Sequence, residues 1–386
     1  MKVFLIAGEA SGDRLGAALM AGLKSLETVE FQGVGGPMMQ AEGLHSLFPM
    51  DELSVMGLAE ILPKYLHLRR RLHQTAEAVL QAQPDVLITI DSPDFCLRVA
   101  KLVKAKSSIR TVHYVAPSVW AWRAKRAGKM AGVIDHVLAL LPFEPPYMEA
   151  EGMACDFVGH PVVSEPQATP ADIVDFKSRH GIDGPLWMVL PGSRRGEVSW
   201  LGPRFSDVVR RVLADKPELS IVIPTTQTVA PLVHDMVADW PVTPLILSPD
   251  GMDADSFKAE KRAAFAAADW ALAASGTVSL ELAAARTPMV IAYDLKPLSR
   301  FIISRMLKVD TLTLVNLVSE TRVIPEFIGK DCRPELIAPA MRAVMDNPSP
   351  QLQAMDLTMD RLGRGGEAPG LRAAKAVLTR LNAAKG

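Results

Sequence analysis

Val86-Leu87-Ile88-Thr89-Ile90-Asp91-Ser92-Pro93-Asp94-Phe95 decides how the 386-residue chain is read. Five strand-forming residues, mostly β-branched, run without a charge into an acid and a Ser-Pro turn, and helical spacing follows. A strand that hands directly to a helix is the unit of a parallel α/β sheet.

Outward from this stretch the alternation recurs. Strands are expected near 3–7, 29–34, 86–90, 111–115, 136–140 and 155–158, with helices near 13–26, 59–82, 96–105, 123–133 and 144–150. Prolines 161, 166, 170 and 185 with Gly181 and Gly184 then mark a linker over 159–185 that holds a short helical patch. A second series follows, with strands near 186–190, 220–224, 243–247, 270–273 and 289–293. Its helices are expected near 201–215, 229–238, 257–267, 278–285, 297–307, 334–346 and 367–383. The expectation is an α/β fold of two Rossmann-like doubly wound domains facing a central cleft. They span 1–165 and 166–350, with a C-terminal helix at about 367–386 packing back on the first.

Composition narrows the function classes. Apolar residues are 49% and charged residues 22%, within the range of globular proteins that bury a core. The net charge of −1, from 42 basic and 43 acidic residues, provides no global field toward nucleic acid or an anionic membrane. Cys96, Cys155 and Cys332 are odd in number and far apart, so neither a disulfide framework nor a CxxC metal site is expected, and a reducing cytosol is the economical reading. Met1 to Ala7 runs into Gly8-Glu9 without a cleavage site, which makes it a strand and not a signal peptide. The Ala-rich 263–293 region is broken by Asp269, Glu281 and Arg286, so nothing reaches the roughly 18 apolar residues of a membrane span. Membrane contact, if made, is at the surface.

In open α/β sheets ligands sit beyond the carboxyl ends of strands, so the residues just after each strand are the candidates for chemistry. Asp91 is delivered there by its strand, and partial burial suits a carboxylate to general-base work; Asp94 is expected to cap the next helix. Gly8-Glu9-Ala10-Ser11-Gly12-Asp13 is a Gly-bracketed turn into a helix, with Ser11 or Asp13 as a cap and Glu9 as a second candidate catalytic acid. His113-Tyr114-Val115-Ala116-Pro117-Ser118-Val119-Trp120-Ala121-Trp122-Arg123 places two indoles near a strand end, as a substrate wall or as interdomain core.

In the second half, Pro191-Gly192-Ser193-Arg194-Arg195-Gly196-Glu197 brings guanidinium groups to one turn, and Arg194 or Arg195 can clamp a diphosphate. Ala274-Ser275-Gly276-Thr277-Val278-Ser279-Leu280-Glu281 has the strand, small turn, helix form that offers N–H groups to phosphate. Glu281, one turn in, is placed to accept ribose hydroxyls or to join a cap. Asn316 and Glu326 are polar residues in apolar strings, and each is either a satisfied core group or a ligand contact. Between Leu53 and Leu72, Met56, Leu62, Leu66 and other apolar residues alternate with Lys64, Arg69, Arg70 and Arg71. That composition suits a segment lying on a bilayer interface, and equally an amphipathic helix packed on its own sheet.

Taken in order, these loops resemble those of lipid-A-disaccharide synthase, a family of inverting UDP-sugar-dependent glycosyltransferases. The likeness rests on Ala7 to Asp13, Gly33-Val34-Gly35-Gly36-Pro37, Met56-Gly57, Asp91 to Phe95, His113 to Trp122, Leu141-Pro142-Phe143-Glu144, Gly159-His160-Pro161, Pro191 to Arg194, and Ser275-Gly276-Thr277 with Glu281. It covers about 1 to 345. The resemblance implies a GT-B fold, the donor UDP-2,3-diacylglucosamine, the acceptor 2,3-diacylglucosamine 1-phosphate, and peripheral attachment to the cytoplasmic face of the inner membrane.

It also implies that Asp91 is the base, that Arg194 matters for activity, and that Gly192, Ser193, Ser275, Gly276, Thr277, Glu281 and Asn316 serve the donor. Ser11, Met56, Leu62, Leu66, Arg69, Arg70, Trp120 and Trp122 fall on the acceptor or membrane side. No metal, cofactor or nucleic acid is expected, and a homodimer is compatible with the sequence without being fixed by it. UDP-N-acetylglucosamine 2-epimerases share the architecture, but they need no apolar-basic segment such as 53–72. A non-catalytic lipid-binding protein leaves Asp91 and the two phosphate-type loops unused.

Overall fold

The computed structural model describes residues 1–53, 58–121, 125–295, 300 and 309–383, with 58–64 as backbone alone. The chain divides into two compact units, Met1–Ser164 with Leu362–Gly386, and Glu165–Arg361.

The first unit is a seven-stranded parallel sheet of β1 (Lys2–Ala7), β2 (Glu30–Val34), β3 (His45–Ser46), β4 (Val86–Ile90), β5 (Arg110–Tyr114), β6 (His136–Ala139) and β7 (Ala154–Phe157). Its strand order is β3-β2-β1-β4-β5-β6-β7. Every side chain of β4 is buried, as an uncharged strand covered by helices on both faces should be. The chain winds outward from β1 in one direction and from β4 in the other, so the crevice at their carboxyl ends is the topological switch point.

Helix Pro369–Ala383 belongs to this unit and buries Ala373, Ala374, Val377 and Leu381 in its core. It meets helix Ala10–Leu26 at backbone distance: a Cβ on Gly370 would lie 2.5 Å from the Ala18 carbonyl oxygen, and one on Gly22 would lie 2.7 Å from that of Gly370. Larger residues would force the two helices apart. The far end is fixed by Arg380, which donates to both Asp156 oxygens at 3.0 and 3.1 Å, while His136 Nε2 lies 2.8 Å from the same carboxylate.

The second unit is a six-stranded parallel sheet of β8 (Leu186–Leu190), β9 (Ser220–Pro224), β10 (Leu245–Leu247), β11 (Trp270–Ala273), β12 (Met289–Tyr293) and β13 (Glu326–Ile328). The order β10-β9-β8-β11-β12-β13 puts its switch point between β8 and β11. Helix Pro170–Arg179 opens the unit behind a Thr169–Asp172 capping box, and Arg179 clamps Glu260 at 2.8 and 3.1 Å.

Several elements differ from expectation. The helix expected from 201 begins at Arg195 and continues through Pro203, whose missing N–H removes one helical bond without ending a helix buried along Val198, Leu201, Phe205, Val208 and Val212. Strands β3 and β13 and the helices Leu314–Ser319 and Ser349–Arg361 are additional. The helix expected at 297–307 lies outside the described residues except at 300.

Candidate active site

At the first switch point Ala7 pairs with Ile90, so the turns after β1 and β4 leave the sheet side by side, about 4.8 Å apart. Gly8 is buried, and a Cβ there would lie 2.6 Å from Ser92 Oγ. Asp91 and Ser92 both have left-handed backbone, with φ of 50° and 42°. Each such non-glycine residue costs about 1–3 kcal/mol, held in place by the surrounding structure. Part of that hold is visible: the Asp91 N–H donates to the Tyr114 carbonyl at 3.0 Å, which locks the turn to β5. The Asp91 side chain is half-buried, as is Glu9, the residue preceding helix Ala10–Leu26. Ser11 is exposed in that helix's first turn.

Two capping expectations are corrected here. Asp94 does not cap its helix: the residue before Pro93 is Ser92, and Asp94 is exposed, 3.7 Å from Arg126. Asp13 does not cap its own helix either. Its buried carboxylate accepts the N–H groups of Gly36, Met38 and Met39 at 2.9–3.0 Å, and so caps the distant helix Pro37–Ala41. A buried acid with three donors is satisfied without a cation.

Next along the sheet, the loop after β5 carries Trp120, buried edge-on against Phe143 with ring centroids 5.3 Å apart. His113 in β5 is buried beside Thr89 Oγ1 at 2.8 Å, and burial lowers its pKa to about 4, so it stays neutral within the core. Trp122 and Met56 lie outside the described residues, as does the side chain of Leu62. On helix Leu58–Ala82 the described face carries Leu66, 76% exposed, and Tyr65, 51% exposed, with Arg69 and Arg70 exposed nearby. Arg71 turns inward, donating to both Glu52 oxygens at 2.7 Å above the Phe48 ring. The arginine run therefore splits into two surface cations and one structural one.

At the second switch point the loops after β8, β9 and β11 surround a cavity of about 450 Å³. Gly192, Ser193 and Arg194 line it from one side and Ser275, Gly276 and Thr277 from another, with Glu281, Thr225, Phe257, Lys261 and Phe265 completing the wall. Arg194 lines this cavity and Arg195 is not among its lining residues.

Glu197, half-buried beneath the turn, shapes it: one oxygen accepts the N–H groups of Ser193 and Arg194 at 3.1 and 3.3 Å, and the other takes the Arg194 guanidinium at 2.9 Å. Gly192 has φ of 120° and passes so close that a Cβ would meet Glu197 at 2.7 Å, which only glycine tolerates. Glu281 is bound to Lys261 at 2.7 Å, and Lys261 lies 5.0 Å over the Phe265 ring.

Asn316 is not among the lining residues. It is 1% exposed, and its amide both donates to the Ile324 carbonyl at 2.9 Å and accepts the Ile324 N–H at 3.0 Å. Glu326 accepts the N–H groups of Leu312 and Thr313, so together these two residues fasten 311–326 from within. Glu197, Lys261 and the buried Glu144 were not singled out from sequence as site residues. Acid and glycine in one turn hinted at Glu197, whereas Lys261 comes from a helix twenty residues before Glu281 and has no local signal.

Two parallel doubly wound α/β domains with glycine-containing strand-end loops at both switch points define the GT-B class. Solved structures share the fold over the whole chain: MnaA of S. aureus with UDP, at a TM-score of 0.64 and 12% identity, covering 100% of this chain and 96% of that one. The UDP-GlcNAc 2-epimerase of Neisseria meningitidis bound to UDP-GlcNAc matches at 0.64 and 11%, covering 99% and 100%.

The model of the family described as lipid-A-disaccharide synthetase matches residues 3–376. A lipid-A-disaccharide synthase of Ruegeria pomeroyi is 63% identical over 99% of this chain and 96% of its own length, and that of Rhodospirillum centenum is 47% identical over 97% and 94%. The chain belongs to the lipid-A-disaccharide synthase family, and is a hexosyltransferase of lipid A biosynthesis.

Proposed function

We propose that the chain joins UDP-2,3-diacylglucosamine to 2,3-diacylglucosamine 1-phosphate, giving lipid A disaccharide 1-phosphate and UDP by a metal-independent inverting displacement. The observation that carries this reading is the cavity at the second switch point, where Arg194 and the 275–277 turn line the same wall as Glu281. A guanidinium and turn N–H groups suit a diphosphate that gains charge as it leaves, and an acid at the same wall suits ribose hydroxyls. The second unit, 166–350 within it, is the donor side.

The first unit, Met1–Ser164 with Leu362–Gly386, is the acceptor side. Asp91, with Glu9 on the neighbouring strand end, takes the proton from the acceptor's primary hydroxyl as that oxygen attacks the anomeric carbon. A single displacement inverts the configuration there. Trp120 and Ser11 border the acceptor, and Asn316 acts by holding 311–326 in place beneath the donor side.

Leu66 and Tyr65 beside Arg69 and Arg70 are an exposed apolar-basic patch of the kind that rests on an anionic lipid surface. No helix among the described residues is long and apolar enough to cross a membrane. Contact with the cytoplasmic face of the inner membrane through this patch follows, since both substrates are lipids. Incubating the purified protein with both substrates tests the whole reading: UDP and disaccharide form together in equal amounts. UDP release with the donor alone, or neither product, removes it.

A further inference from the structure

The cavity at the second switch point takes one wall from a helix and not from a strand-end loop. Helix Ala254–Ala267 supplies Phe257, Lys261 and Phe265, opposite no other cation-bearing helix among the lining residues. The Lys261 ammonium donates to Glu281 Oε2 at 2.7 Å and stands 5.0 Å over the ring of Phe265, one helical turn further on. That ring is 4% exposed, so it is a fixed surface for the lysine. Among the described residues no donor is bound to Glu281 Oε1, and Oε2 keeps a second lone pair. The carboxylate is therefore held on one side and open on the other.

Magnitudes decide what this pair does. Both side chains are 37% exposed, and an ion pair that open to water contributes little to stability. Fixing a flexible carboxylate before a ligand arrives is different, because the ligand is spared the cost of ordering it, roughly two- to tenfold in affinity. The pair acts on binding more than on the fold.

We infer that Lys261 is a positioning residue for ribose. Clamped between the Phe265 ring and Glu281, it fixes the Glu281 carboxylate in the orientation that accepts a ribose hydroxyl, and so sets the preference for a ribonucleotide over its deoxy form. This rests on the reading of Glu281 as the group that receives ribose.

Calorimetry on the whole protein compares UDP, 2′-deoxy-UDP and UMP for the wild type, Lys261→Met, Lys261→Arg and Glu281→Gln. UDP and its deoxy form carry the same charge, so their affinity ratio cancels the lost attraction of an ammonium for phosphate and reads the hold on the hydroxyl. A hydrogen bond to a carboxylate corresponds to about ten- to hundredfold, and the wild type should prefer UDP by that order. Lys261→Met should cut the preference by about two- to tenfold, while Lys261→Arg keeps most of it. The UDP-to-UMP ratio should stay within about twofold in both, and melting temperatures should stay close to the wild type. A preference that Lys261→Met leaves unchanged would overturn the inference. So would a fall in the UDP-to-UMP ratio alone, which would make Lys261 a phosphate ligand. If Glu281→Gln abolishes the preference and Lys261→Met preserves it, only the role given to Lys261 fails. If the wild type binds UDP and 2′-deoxy-UDP alike, the ribose reading of Glu281 fails with it.

Discussion

Ser92 Oγ stands 2.6 Å from where a Cβ on Gly8 would be, so the turns after β1 and β4 touch only because residue 8 has no side chain. Gly8→Ala should therefore push Ser92, and with it Asp91, out of place at a cost of about 1–3 kcal/mol for overpacking. Ser92 already has a φ of 42°, which glycine adopts freely. Gly8→Ala is thus expected to lose most turnover, and Gly8→Ala with Ser92→Gly to recover part of it. Steady-state UDP release measures both, and no recovery would place the defect elsewhere.

Asp91→Ala should turn over about 10²–10⁴-fold more slowly if its carboxylate is the base. UDP affinity, measured by calorimetry, should stay within about twofold, because Asp91 belongs to the first unit and the cavity proposed for the nucleotide to the second. Normal turnover removes Asp91 from the mechanism.

Glu197 holds Ser193 and Arg194 through three bonds. Glu197→Ala frees the turn, and UDP should bind about tenfold more weakly, the equivalent of 1.4 kcal/mol. Calorimetry decides it: unchanged affinity would mean that Arg194 is not placed by Glu197.

Burial holds His113, His136 and His160 neutral, each with its pKa lowered to about 4. A base whose folded pKa lies below its unfolded value contributes stability that is present above about 6.5 and lost as pH falls toward 4. Glu144, raised to about 7, works oppositely in the same window, since the folded state keeps its proton where the unfolded chain has released it. Near pH 5.5 unfolding should then take up roughly two protons net, and stability should fall by roughly 3 kcal/mol per pH unit on acidification. Urea titrations from pH 7 to 4.5 test the slope, which should be halved in His113→Asn.

Leu66→Asp should weaken sedimentation with vesicles rich in anionic lipid through lost apolar contact, and Arg69→Glu with Arg70→Glu should do so in a salt-dependent way. Arg71→Glu is expected to act differently, by unfolding the Glu52 and Phe48 contacts and lowering the melting temperature.

Strands with a continuous, largely apolar run, such as Val86–Ile90 and Met289–Tyr293, were legible because full burial writes itself into sequence as an uncharged run. His45–Ser46 and Glu326–Ile328 were not, since each is two or three residues long and includes polar or charged ones, unlike the equally short but wholly apolar Leu245–Leu247. Gly192 and Gly196 made the start of the Arg195–Leu213 helix read as loop, although packing of the helix outweighs the low propensity of Gly196. The loops at both switch points could be named from the rule that ligands collect beyond strand ends. What Asp13 and Lys261 hold could not, because each partner lies twenty or more residues along the chain.

The helix Pro369–Ala383 fills the core of the unit that begins at Met1. During synthesis the second unit has all its residues before the first has its last helix, so the half that is started first is finished last. Until then the groove along helix Ala10–Leu26 is an uncovered apolar surface, and a ribosome stalled near residue 360 would present that surface to chaperones.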